Sequence, residues 1–203
     1  MDSQIGELHC HQMALLPRLL TVMGRLLAVM ALAAACFLPF AAHADDGDVA
    51  LNQLFAQLRM APDPAAARTI SDQIWRVWTT PSEPALASRM QQVFEMRATG
   101  DMAGTISLLD ALVDDYPNYA EGWNQRATLK FMTGDLEASL ADCARVLALE
   151  PRHFGALAGR AMIYLQLDQR SLALKDISAA LNIHPFLTEA QLFPELSRNI
   201  TRI

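Results

Sequence analysis

An all-α solenoid of stacked helical hairpins is the fold that this 203-residue sequence predicts, and three observations point to it. Pro117, Pro151 and Pro185 stand 34 residues apart, and Gly100, Gly134 and Asp168 keep the same spacing. Between these markers the apolar residues recur at helical intervals. A fixed period of this length marks a repeat architecture, in which each unit buries its apolar face only against its neighbours.

The repeat region spans 82–185, with units at 84–117, 118–151 and 152–185. In each unit a first helix must stop and reverse at Gly100, Gly134 or Asp168; glycine adopts the reversing backbone without steric cost. Asp101 and Asp135 follow the two glycines and are placed to cap the amides of the next helix. That second helix is traced by Leu136, Leu140, Cys143, Val146, Leu147 and Leu149 in the middle unit, and by Leu172, Leu174, Ile177, Leu181 and Ile183 in the last. The proline closes it, because it lacks a donor and biases the preceding residue away from helix.

Upstream, 45–81 reads as a degenerate helical hairpin serving as an N-terminal cap. Asp48 opens its first helix, with Val49, Leu51, Leu54, Phe55 and Leu58 apolar; Asp63 and Pro64 open the second, with Ile70, Ile74, Trp75, Val77 and Trp78 apolar. Downstream, 186–203 is expected to form a C-terminal capping helix that packs Leu192, Phe193, Leu196 and Ile200 on the last repeat, with a kink at Pro194. Solenoids need such caps, since their end repeats would otherwise expose core.

Residues 1–44 have a different character. Arg18 and Arg25 precede an apolar run from Leu26 to Ala42, and Ala42-His43-Ala44 supplies small residues for a signal-peptidase cut after Ala44. Pro39 breaks the run short of a spanning helix, so export to the periplasm or beyond is the reading, with membrane attachment only through an uncleaved signal or lipidation at Cys36. A second apolar stretch before Met23 leaves Met13 and Met23 as alternative starts.

The chain carries 16 Lys and Arg against 22 Asp and Glu, a net charge of −6, with no clustered basic footprint for nucleic acid. Of three cysteines, Cys143 alone follows the signal, so no intramolecular disulfide is expected in the processed chain. No G-x-S-x-G, phosphate-cradling glycine loop, H-E-x-x-H or paired C-x-x-C is present, so no catalytic residue, cofactor or metal is assigned. Asp45, Asp46 and Asp48 around Gly47 are too few for a calcium loop. His153 and His184 flank the terminal prolines and read as helix-end loop residues; Trp75, Trp78, Trp123 and Cys143 lie on apolar stripes and read as core. Asp114 and Asp115 sit unfavourably near a helix C-terminus. Arg126 and Arg160 share an offset, with Asp142 and Asp176 sixteen residues on, which predicts structural Arg126–Asp142 and Arg160–Asp176 pairs between the two helices of a unit.

These units resemble the tetratricopeptide repeat (TPR) family, in exported bacterial form. The middle unit matches at Trp123, Ala127, Gly134, Ser139, Val146 and Pro151, and the last at Leu157, Ala161, Tyr164, Ala173, Ala180 and Pro185. The first is looser: Val93 replaces a smaller residue, Arg89 a large apolar one and Asp115 an aliphatic. The resemblance implies a right-handed α-α superhelix whose first helices line a concave groove. By position that groove is Met90, Phe94, Arg97, Asn124, Thr128, Phe131, Ala158, Met162 and Leu165. With Asn124 and Arg97 its only polar members, it does not resemble the family's carboxylate clamp; its methionines suit an adaptable apolar surface. The implied function is a non-enzymatic scaffold binding another envelope protein or peptide. The alternatives are a carrier of a lipid or small apolar ligand, and a groove covered by the chain's own terminal helices.

Overall fold

Glycine and aspartate set the repeat turns as the sequence requires. Gly100 and Gly134 have φ of +83° and +85°, and Asp168 adopts φ 57° at the equivalent place. Asp101 Oδ1 accepts from Gly104 N at 2.8 Å and Asp135 Oδ1 from Ala138 N at 3.2 Å, each satisfying an otherwise unpaired helix-start amide. At the other end, the residues before Pro117, Pro151 and Pro185 return their amides to Leu112, Val146 and Ala180, and the helices stop there.

The computed structural model describes residues 46–196, all within the second of the chain's two units, Met1–His43 and Ala44–Ile203. The signal, its cleavage site, Cys36 and Ile200 lie outside the described residues. Helices α1 (Asp46–Arg59) and α2 (Pro64–Thr79) form the first hairpin. The three repeats are α3 (Pro84–Ala98) with α4 (Met102–Asp115), α5 (Ala120–Met132) with α6 (Leu136–Leu149), and α7 (Phe154–Gln166) with α8 (Arg170–Ile183). No strand occurs among the described residues, and no helix there is long and apolar enough to cross a membrane.

From α3 to α8 each helix packs on the next, the order expected of a solenoid. Leu86, Met90, Val93, Leu109, Leu112 and Leu129 join the first repeat to the second, and Ala127, Cys143 and Ile163 join the second to the third. The expected C-terminal segment begins, over its described part, with a 3-10 turn at Thr188–Leu192, and after Phe193 the chain is helical over 194–196, with Leu196 packed on the last repeat beside Phe193. Phe193 is fully buried against Ala158, Ala161, Ala173 and Ile177, covering the open end of the last repeat. Burial of a phenylalanine contributes about 1.5–3 kcal/mol. Leu192 is 47% exposed, because the turn points it away from that surface. Val49, Val77 and Leu172, also expected inside, are exposed at the outer edges of their helices.

The N-terminal hairpin forms as expected but takes a different place from a cap stacked on α3. Its main partners are α5 and α8. Leu51, Phe55, Leu58, Ala67, Ile74 and Trp78 gather around Phe154 at the start of α7, with Ile183, Phe186 and Leu187 at the margin. The reason is apolar area: α2 carries two tryptophans, and Phe154 with its neighbours offers the aromatic surface that buries them.

Candidate functional site

Glu121 opens the second repeat, 34 residues before Gly155 in the third, and the two positions anchor the surface where the hairpin docks. Gly155 is there because nothing larger fits: a Cβ would lie 2.7 Å from the Trp75 ring. Glu121, 1% exposed, needs partners to be buried. It accepts from Asn124 Nδ2 at 3.1 Å, from Gln125 Nε2, and from His153 Nε2 at 3.0 Å. Gln125 Oε1 in turn accepts from Arg97 Nη1 at 2.6 Å. His153 Nδ1 accepts from Ala156 N at 3.1 Å and so caps α7, which leaves the ring proton on Nε2 facing Glu121.

Trp78 closes this network, stacked on the His153 ring at 4.0 Å and 8°. Tyr119 donates to the Trp78 carbonyl at 2.6 Å, and burial, reinforced by the Glu121 charge, holds the phenol far above its ordinary pKa and therefore protonated. His153 does stand at a helix end, outside the helix itself, but it is fully buried there as the cap of α7 and joins repeats two and three to the hairpin. Glu121 and Gln125, which the sequence reading passed over, are central to it. Their partners lie 28 and 32 residues away, and polar residues at such spacing leave no periodic trace.

The nine groove positions do not form one open surface. Met90, Asn124 and Ala158 are buried; Met90 belongs to the first interrepeat core, and Ala158 and Leu165 pack toward Phe193. Phe94 packs on the first core and Arg97 is held by Gln125. Asn124, Thr128, Phe131 and Met162 do come together, lining a cleft of about 100 Å³ between α5 and α7, with Cys143 and Ile163 at its floor. The C-terminal segment and the hairpin cover further parts of the α7 face, through Phe193 and Trp75.

The positions noted for ion pairs are brought together within each repeat. Arg126 meets Asp142 through Nε at 2.8 Å and Nη2 at 2.7 Å, and Arg160 meets Asp176 through Nε at 2.6 Å and Nη2 at 2.8 Å. The paired aspartates, first among the causes, raise the pKa of both guanidinium groups. The first repeat's two departures explain each other: Arg89 reaches Asp115 at 2.5 Å and lies over the Tyr116 ring. Both partners are exposed, so this pair contributes little, about 0–1 kcal/mol. Trp78 is buried, whereas Trp75 and Trp123 are half-buried; Trp123 lies beneath Arg126, its centroid 4.7 Å from the guanidinium carbon.

Cys143 is 3% exposed, and burial pushes its thiol up to about 12. It should resist iodoacetamide at pH 8 in the folded chain and be alkylated in urea, read by the mass of its peptide; rapid labelling without denaturant would contradict this burial.

A TPR repeat-containing protein of Rhizobium etli is 36% identical over 141 residues, which cover 70% of this chain and 69% of the relative. Among solved structures, the first TPR of Spaghetti (RPAP3) bound to the HSP90 peptide SRMEEVD superposes with a TM-score of 0.52 at 19% identity, covering 57% of this chain and 93% of that one. A crystal structure of MamA matches with a TM-score of 0.45 at 15% identity, covering 69% of this chain and 79% of MamA. No protein-family model matches the chain. With the repeat turns, the interrepeat cores and this degree of identity to a TPR protein, the chain belongs to the tetratricopeptide repeat family.

Proposed function

We propose that the chain is a non-enzymatic scaffold of the bacterial cell envelope that binds a partner polypeptide by taking one of its apolar side chains between α5 and α7. The cleft there carries the reading. Its about 100 Å³ is smaller than the roughly 150 Å³ cavity that admits benzene, and suits a branched aliphatic side chain better than a lipid tail. Phe131 and Met162 supply its apolar walls, and Asn124 adds a polar edge. A TPR fold can present a polypeptide-binding face, as the peptide held by the first TPR of Spaghetti illustrates. Arg97 and Asn124 are committed to Gln125 and Glu121, which argues against a carboxylate clamp on this face. Envelope location rests on the signal-like sequence of residues 1–44.

Crosslinking and affinity purification of the tagged chain from its native envelope test the reading. The Phe131→Glu/Met162→Glu variant should lose a polypeptide that the wild type retains, by about tenfold or more, since it places charge against an apolar ligand. Retention of that polypeptide by the folded variant would remove this cleft as the site. A lipid in the native mass spectrum in its place would favour the carrier.

A further inference from the structure

A second cleft lies across the face of α7, outside the cleft between α5 and α7. Helix α2, the start of α7 and the segment after α8 enclose about 240 Å³ there. Its apolar lining includes Trp75, Phe154 and Phe186. His184 marks it as more than a packing gap. The residue is 7% exposed, and its Nδ1 accepts from Phe186 N at 3.3 Å. Burial lowers the pKa of this histidine, so near neutral pH the ring is uncharged and its proton sits on Nε2. Nε2 has no hydrogen-bond partner among the described residues. Because no sealed side-chain nitrogen or oxygen among the described residues is left unpaired, this donor is not closed off from solvent, and its ring is part of the cleft lining.

The charges around the cleft are of both signs. Arg68 contributes an exposed guanidinium with no ion pair or side-chain hydrogen bond among the described residues. Glu189, from the opposite element, contributes a carboxylate whose Oε2 accepts from Thr188. A simple anion would meet Glu189, and a simple cation would meet Arg68. A molecule bearing both charges satisfies both, and its apolar body can lie on the aromatic lining.

We propose that this cleft binds a small zwitterion with an apolar body, the chemistry of a free α-amino acid with an aromatic or branched side chain. The carboxylate meets Arg68 and His184 Nε2–H, the ammonium meets Glu189, and the side chain packs on Trp75, Phe154 and Phe186. This site is independent of polypeptide binding between α5 and α7.

Titration calorimetry of the purified chain with L-phenylalanine tests it, beside N-acetyl-L-phenylalanine, which lacks the ammonium, and L-phenylalaninamide, which lacks the carboxylate. L-phenylalanine should bind saturably, and each analogue about tenfold more weakly or worse, as expected for one lost charge-assisted contact. Arg68→Gln should weaken L-phenylalanine by a similar factor yet leave the amide unchanged; Glu189→Gln should weaken L-phenylalanine yet leave the N-acetyl compound unchanged. Phe131→Glu/Met162→Glu should bind L-phenylalanine as the wild type does. Absence of saturable binding by L-phenylalanine and L-leucine, equal binding of all three phenylalanine compounds, or loss of binding in the Phe131/Met162 variant each overturns the proposal. Arg68 is exposed, and Glu189 is part-exposed with one side-chain hydrogen bond, from Thr188, so both charge variants should fold.

Discussion

Replacing Trp78 with alanine should destabilise the chain by about 3–5 kcal/mol, the range for truncating a large buried aromatic. Three consequences act together. The side chain is 8% exposed and packs on Phe55, Trp75 and Phe154, so a cavity opens in the hairpin core. Its indole stacks on His153, so the histidine and the Glu121 carboxylate beneath lose the cover that keeps water out. It also lies where α2 meets the second and third repeats, so its loss should free α1 and α2 first. Urea unfolding gives the magnitude, and hydrogen exchange should quicken most in α1 and α2. Trp123, half-buried and held by Arg126 and a bond to the Pro117 carbonyl, is the control, with a smaller loss on truncation. A Trp78→Ala protein within about 1 kcal/mol of wild type would contradict the docking.

The hairpin was legible as two amphipathic helices, but its address was not. Periodicity reports that α1 and α2 each have an apolar face; it does not report which neighbour covers that face, and here the contact joins residues about 100 apart, as Arg152 Nη1 does with Asn52 Oδ1 at 2.6 Å. The repeats were easier because their decisive contacts are repeated. Gly100 and Gly134 recur because each turn imposes the same backbone, and Arg126 and Arg160 recur because each faces an aspartate at the same offset. What happens once in the chain leaves no such echo. Glu121 and His153 form a single pair between repeats, and Arg89 with Asp115 looked like two departures from the pattern when it is one compensating contact. The candidate cleft falls between these cases. Asn124, Thr128, Phe131 and Met162 were identifiable by position, while the withdrawal of Met90, Ala158 and Leu165 into core depends on packing with α4, α5 and Phe193.

That recurrence also distinguishes the two repeat ion pairs by what remains after one partner is removed. Arg160→Met should cost about 3–5 kcal/mol, because it leaves a buried carboxylate without its cation. Asp176 has a side chain 5% exposed and no other ion-pair partner among the described residues. In the second repeat Lys130 Nζ stands 2.9 Å from Asp142, so Arg126→Met leaves that carboxylate paired. The Arg126 variant should therefore be the milder by about 1–2 kcal/mol, although Arg126 is the less exposed arginine, at 13% against 23% for Arg160. The same argument predicts that Arg160→Met/Asp176→Leu regains most of the stability lost by Arg160→Met, since the double change removes the stranded charge and fills its place with apolar volume. Urea unfolding of the three variants decides the matter. Equal losses for the two single changes, or a double variant no more stable than Arg160→Met, would show that packing of the arginine stems, rather than the charge left behind, sets the cost.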